Sequence, residues 1–368
     1  MKKIRWGIKL ELLLIAALCC VFLVKEIQAN RQRDILSVQE KVDKEQKKDE
    51  DKEAIEVSSD GDFIKWVDFN VTSEVMGKAY ELDVESYKED IHVDWIELIA
   101  YVGAKHGGKF DKKSVSEIEE TAKKLRAGET TMDELTKDMK YYDYYKEAYS
   151  AVLGGMVGEF SIEVKTDDEG EKEWKDYYGL KAFSPIAKGF EYSHYDDFGS
   201  SRSYGYKRVH LGHDMMGQIG TPIIAIESGY VEALGWNQYG GWRIGIRSFD
   251  GKRYYYYAHL RQNFPYNKEL EEGSVVTAGD VIGYMGHTGY STTENVNNIE
   301  TVHLHWGLEL IFDESQKESN NEIWIDCYEL TKFLYKNRSE TYKEEETKEW
   351  KRLYDMVDPA VEGFERGR

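Results

Sequence analysis

The sequence predicts a multidomain chain: a mainly antiparallel β domain over residues 180–312, preceded by a small all-α domain over 61–160 and followed by a helical C-terminal extension over 313–368. Two observations predict it. At 368 residues the chain exceeds one average domain. Its hydrophobic period is helical up to about residue 160 and then gives way, near residue 180, to short β-rich runs punctuated by glycine.

The first element, residues 1–29, pairs a basic segment with an apolar run at 12–24, the pattern of an export signal. Counting back through Ile8 and Leu10, with Glu11 as the one flaw, brings the run close to the roughly 20 residues that span a bilayer. Retention as a membrane anchor is favoured over cleavage after Ala29, because Ile27 is not the small residue a cleavage site wants. The lysines ahead of the run place the N-terminus inside and the bulk of the chain outside, tethered to the cell membrane, or secreted if the segment is cleaved. Cys19 and Cys20 fall within the apolar run, behind a Leu18 too bulky for a lipoprotein signal, and Cys327 stands alone, so no disulfide framework is expected. Residues 30–60 are charged and poor in apolar side chains, as befits a solvated stalk.

In the helical domain Trp95, Leu98, Ile99 and Val102 recur on one helical face, and Ser114 with Glu117 and Thr131 with Glu134 read as capping boxes. The run Tyr141, Tyr142, Tyr144, Tyr145 and Tyr149 has the spacing of core packing more than of a sugar-stacking strip. Residues 161–179, with the acidic hydrophilic stretch 165–175, read as a linker. The β domain is drawn from runs at 223–226, 243–247, 254–257 and 303–310, separated by Gly229, Gly235, Gly240, Gly241 and Gly251. In the tail, Ile323, Tyr328, Leu330, Phe333 and Leu334 offer an apolar side for a helix.

Composition narrows function. Hydrophobic residues at 41% and charged residues at 32% are globular values, and a net charge of −20 makes nucleic acid a poor partner. The substrate expected is neutral, zwitterionic or multivalently presented.

Chemistry concentrates in two clusters, His210-Leu211-Gly212-His213-Asp214 and His303-Leu304-His305. On a strand, residues two apart share a face, so His303 and His305 can look into one cleft, one ligating while the other handles protons. Catalytic zinc takes three ligands from imidazole and carboxylate and leaves a fourth position for water, a requirement that two histidines and one aspartate meet.

With these residues the sequence resembles the lysostaphin/LytM zinc metallopeptidases, the M23 peptidases that cut peptides of the bacterial wall. Four blocks in the family's order carry the resemblance across about residues 180–312: His210-x-Gly212-x-Asp214, Gly220-Thr221-Pro222 with Ala225, Tyr257-Ala258-His259-Leu260, and His303-Leu304-His305. Gly229 and Val231, residues 278–283, and Gly286-x-Thr288-Gly289-x-Ser291-Thr292 add to it. The resemblance implies a LytM-like β fold and one Zn2+ ion held by His210, Asp214 and His305, with His259 and His303 as the catalytic, non-ligating pair. In the implied mechanism His303 helps deprotonate the metal-bound water, while the metal and a protonated His259 steady the oxyanion; which imidazole is the base stays open. The implied activity is that of a zinc metalloendopeptidase, a peptidoglycan hydrolase cutting stem peptides or cross-bridges of the cell wall. The alternative is a noncatalytic LytM-fold scaffold or activator in a division or sporulation envelope complex, with envelope proteins as partners of the helical domain.

Two departures from the family pattern stand out. Residues 293–302, with Asn295, Asn297 and Asn298, intervene before the final His-x-His and suggest a surface loop that alters the cleft rim. His213 replaces an apolar residue and is read as supporting the site or lying at the surface. His92, His106, His194 and His287 lack partners at metal spacing and are read as surface or hydrogen-bonding residues, His194 beside Asp196 and Asp197 being a candidate for the cleft wall. Some relatives cover their zinc with an upstream asparagine; none lies between Asn70 and Asn237 here. Lys105-His106-Gly107-Gly108 faintly resembles the Glu-Ser-Gly motif of lysozyme-like transglycosylases, but a lysine stands where the catalytic acid would be, so a wall-binding or packing role is expected instead.

Overall fold

Polar caps start four of the five N-terminal helices among the described residues. In the computed structural model, which describes residues 63–367 except 167–169, 204–206 and 318–320, helices α1 (Ser73–Ser86), α2 (Trp95–His106), α3 (Lys112–Arg126), α4 (Met132–Thr136) and α5 (Tyr142–Leu153) come first. Thr72, Asp94, Asp111 and Thr131 each accept a hydrogen bond from the first turn of the helix they open. The box expected at Thr131 and Glu134 is present, whereas Ser114 is the third residue of α3, whose box is closed by Asp111. Helix α2 ends at Gly107, whose φ of 61° only glycine adopts cheaply, and Lys105 and His106 both reach Glu117 on α3. The residues of the 105–108 run thus terminate a helix and pair with its neighbour.

The expected anchor or signal (1–29) and the charged stalk (30–60) lie outside the described residues. Among the described residues, no helix is long and apolar enough to cross a membrane.

Within the stretch read as a linker, 161–179, residues 161–165 and 172–179 instead pair as strands. Strands β1 (Val157–Lys165) and β2 (Lys172–Leu180) pair antiparallel in unbroken register from Val157 opposite Leu180 to Lys165 opposite Lys172. Its hydrophilic sequence reflects an edge strand whose residues 172–177 are exposed, not a lack of structure.

The β domain is built on an eight-stranded, wholly antiparallel sheet. Its strands are β3 (Ser193–His194), β6 (His213–Met216), β8 (Gly229–Asn237), β9 (Gly241–Ser248), β10 (Arg253–Ala258), β11 (Val275–Val276), β13 (His303–Leu310) and β14 (Ile323–Ile325). The order runs β11-β8-β9-β10-β13-β6-β3, and β14 extends the β6 edge of β13. Two short pairs flank it: β4 (Ser201–Ser203) with β5 (Lys207–Val209), and β7 (Pro222–Ile224) with β12 (Val281–Tyr284).

The C-terminal extension is not purely helical, as the sequence suggested. Ile323 belongs to β14 and adds to the main sheet, and β15 (Thr341–Lys343), β16 (Trp350–Arg352) and β17 (Met356–Val357) follow α6 (Tyr328–Leu334), with α7 (Pro359–Gly367) last. Apolar alternation in a run as short as 323–325 does not separate strand from helix.

Helices and sheet share one buried cluster, in which Leu98, Ile99, Val102 and Tyr149 join Leu304, Trp306, Leu308 and Phe333. Tyr142, Tyr145 and Tyr149 of the aromatic run are buried, in keeping with core packing.

A polar lock ties the end of α5 to this sheet. Arg253, 1% exposed on β10, donates to the carbonyls of Ser150 and Ala151 (3.3 and 3.0 Å) and forms a two-pronged pair with Glu227 (2.7 and 3.1 Å), which also accepts from Tyr255. Gly155 leaves room for it, since a Cβ there would meet a Glu227 carboxylate oxygen at 2.1 Å. Because removing one partner of a buried pair strands the other, Arg253→Ala should lower the unfolding free energy by about 3–5 kcal/mol, measured by urea denaturation.

Candidate metal centre

The register of β13 against β6 sets Asp214 directly opposite His305, and its register against β10 sets Ala258 on the other side of His305. His303, two residues earlier, shares the face of His305, and His259 follows Ala258 at the end of β10. His259 has a φ of 60°, rare outside glycine, and is held there by hydrogen bonds from its N–H to the Gly240 carbonyl (2.7 Å) and from Gly286 N–H to its own carbonyl (3.1 Å). His210 enters from the loop just before β6.

The three expected ligands converge. His210 Nε2 lies 3.1 Å from Asp214 Oδ1 and 3.0 Å from His305 Nδ1, which is itself 2.9 Å from Asp214 Oδ1. Among the described residues, this is the group of histidine, cysteine and acidic side chains that could hold a metal ion. Its chemistry fits one. With Nδ1–H of His210 donated to the Asp197 carbonyl (3.2 Å), His210 Nε2 points a lone pair at a carboxylate oxygen, a contact that a shared cation makes favourable. Two imidazoles and a carboxylate are a zinc-type donor set. In the other tautomer His210 donates Nε2–H to Asp214: burial would raise the Asp214 carboxyl, but that hydrogen bond and one from His305 outweigh it and hold it well below the usual carboxylate range.

Gly212 explains the glycine of the first block. A Cβ at this position would come within 2.5 Å of His305 Cε1 and 2.6 Å of its Nε2, so the ring of His305 lies against bare backbone. Gly212→Ala should therefore displace His305 and weaken binding of added Zn2+ by at least about tenfold, as titration against a competing chelator would show.

Residues 208–321 match Peptidase family M23. The chain is also similar to the catalytic domain of the antimicrobial peptidase lysostaphin from Staphylococcus simulans, at 31% identity over 38% of this chain and 92% of that one, with a TM-score of 0.30. The chain carries a peptidase family M23 domain over residues 208–321. A 37% identity over 35% of the chain links it to the L-Ala--D-Glu endopeptidase of Bacillus subtilis (strain 168), and a 41% identity over 24% of it to lysostaphin of Staphylococcus staphylolyticus. It spans 38% of the length of the first of these relatives and 18% of the second.

Beside the three candidate ligands stand the other two candidate residues. The rings of His259 and His303 are 4.7 Å apart, and that of His259 is 5.7 Å from that of His305. Each donates Nδ1–H to a backbone carbonyl, His259 to Thr288 (3.0 Å) and His303 to Thr301 (2.8 Å), which leaves both Nε2 atoms as acceptors. His303 Nε2 is 3.7 Å from Asp214 Oδ1. Burial, with neighbouring imidazoles adding to it, pushes His259 well below the ordinary histidine value, and burial also lowers His303. The protonated His259 expected from the sequence is disfavoured by this setting.

The remaining histidines have ordinary partners. His213, on the face of β6 opposite Asp214, is buried and bonded to His194 (2.8 Å). His92 pairs with Asp83, His106 with Glu117 and His287 with the Ile299 carbonyl. The 293–302 segment is a pinned wall: Asn295 accepts from Trp242 Nε1 (2.9 Å) and from the Asn263 N–H (2.8 Å), and Asn297 donates to Gln262 (3.0 Å). Sequence reasoning did not single out Arg202, which reaches Asp214, nor give Asp197 its contact with His210.

The buried imidazoles also set a pH response. Burial pushes His213 down to about 3, and His259 and His303 are lowered as well, so an unfolded chain with histidines near 6.5 binds protons that the folded one refuses. Their contribution to stability is complete above about pH 6.5 and is lost progressively as the pH falls below it. For chelator-treated protein, the urea midpoint should drop between pH 7.5 and pH 5, and His213→Asn should shrink that drop.

Proposed function

We propose that this chain is an extracytoplasmic zinc metalloendopeptidase that hydrolyses peptide bonds in peptidoglycan stem peptides or cross-bridges. The observation that carries the reading is the meeting of His210 Nε2, Asp214 Oδ1 and His305 Nδ1 within about 3 Å of one another beside two neutral imidazoles. The names of the relatives, an L-Ala--D-Glu endopeptidase and lysostaphin, support a peptide bond as the target.

In the mechanism, bound Zn2+ would supply an acidified water and a Lewis-acid site for the scissile carbonyl. His303, whose Nε2 is an unprotonated acceptor next to the ligand set, takes the proton of the attacking water. The Thr301 carbonyl keeps that base in the correct tautomer by accepting from Nδ1. The proton taken by His303 passes to the leaving amine as the C–N bond breaks, while His259, oriented in the same way by the Thr288 carbonyl, accepts through Nε2 from the attacking water. Burial of both rings keeps them unprotonated at neutral pH, as a general base requires.

The proposal extends to location. Residues 1–29 act as an anchor or signal and 30–60 as a stalk, placing the peptidase outside the membrane, with the N-terminal helices available to envelope partners.

Purified protein incubated with bacterial cell walls should release new amino groups, and mass spectrometry of the muropeptides should identify the bond. His305→Ala should abolish zinc binding and release together. His303→Ala and His259→Ala should keep about one zinc per chain and lose at least about 100-fold in rate, the scale of general acid–base catalysis. A zinc-loaded wild-type protein that leaves walls of every cross-link type intact overturns the reading.

A further inference from the structure

Asp214 uses its two oxygens differently. Oδ1 faces His210 and His305, while Oδ2 accepts from Arg202 Nη2 at 2.8 Å. The same guanidinium is paired with Asp197, whose backbone carbonyl accepts from His210 Nδ1 at 3.2 Å and whose Oδ1 lies 3.2 Å from that nitrogen. One short loop thereby touches two of the three candidate ligands.

The loop is also tied to His210 through its backbone. Gly199 N–H donates to the His210 carbonyl (2.9 Å), His210 N–H to the Ser200 carbonyl (3.0 Å), and Ser201 pairs with Val209 across the β4–β5 hairpin. Asp197 is 9% exposed in its side chain and Asp214 6%, whereas Arg202 is 33% exposed, so two buried carboxylates face one guanidinium that closes them from the solvent side. A surface ion pair would contribute little; an arginine shared by two buried carboxylates fixes both.

We propose that Arg202, anchored by Asp197, is a positioning residue of the metal centre: it occupies Asp214 Oδ2 so that the carboxylate offers a single oxygen, Oδ1, to the ion. Asp197 completes the device by fixing the tautomer of His210. This inference rests on the metal reading above. Freed of Arg202, Asp214 would be able to swing both oxygens toward the cation and take up the position that water needs, because carboxylates bind metals through one oxygen or two.

The test compares wild type, Arg202→Ala, Arg202→Lys and His305→Ala in the full chain, using Zn2+ against a chromophoric chelator and Co2+ for the visible spectrum. Arg202→Ala should bind one Zn2+ with affinity reduced about 10–100-fold, the usual effect of losing a partner that orients a ligand. Its Co2+ form should show weaker d–d absorption, as coordination number rises when both carboxylate oxygens engage. Arg202→Lys, which keeps a cation on Oδ2, should recover part of the affinity and the wild-type spectrum. Wild-type affinity and spectrum in Arg202→Ala would overturn the proposal and leave the metal site standing. A wild type that binds no Zn2+, like His305→Ala, would instead remove the metal reading itself. Should the metal-free Ala and Lys variants both lose their far-ultraviolet circular dichroism, Arg202 serves the fold alone and the proposal also fails.

Discussion

The pairing of Asp214 with His305 across adjacent antiparallel strands is the constraint on which the site depends. Opposed residues on neighbouring strands hold their side chains a few ångströms apart with little freedom. Strand alternation then does two jobs at once: His303 and His305 face the cleft while Leu304 and Trp306 enter the core. A register slip by one residue would exchange these roles, putting imidazoles into the apolar interior. The core that buries Trp306 and the site that presents His305 are therefore specified by one hydrogen-bonded ladder.

The surroundings of the cleft favour uncharged imidazole. His259 and His303 each spend Nδ1–H on a carbonyl, so the sheet and its loops decide which nitrogen looks outward. Asp214 is the counterweight: an ionised carboxylate, kept so in a buried place by hydrogen bonds from two histidines and an ion pair with Arg202. Two carboxylates, Asp214 and Asp197, thus share the Arg202 guanidinium beside imidazoles that burial keeps neutral.

Much of this was legible in the sequence because its signals are local. His210 and Asp214 lie four residues apart, His303 and His305 two, and the glycine of the first block has a steric cause that the structure makes plain in the contact of Gly212 with His305. The β-rich character of the domain followed from short runs between glycines. What escaped has physical reasons too. The 161–179 stretch looked like a linker because its edge strand from Lys172, facing water, carries the same polar residues as a coil. The tail looked helical because three-residue strands such as 323–325 are too short to show a period. Arg202 and Asp197 escaped because their importance lies in a loop folding back onto His210, and nothing in the spacing of an arginine and an aspartate announces that contact.

The joint interior of helices and sheet has a consequence for anyone wishing to reuse the M23 domain. Cutting the chain near residue 180 to obtain a minimal cassette would remove the helix residues that share the buried cluster with the sheet and leave Arg253 without the carbonyls of Ser150 and Ala151. A graft onto a different protein has to carry the N-terminal helices along.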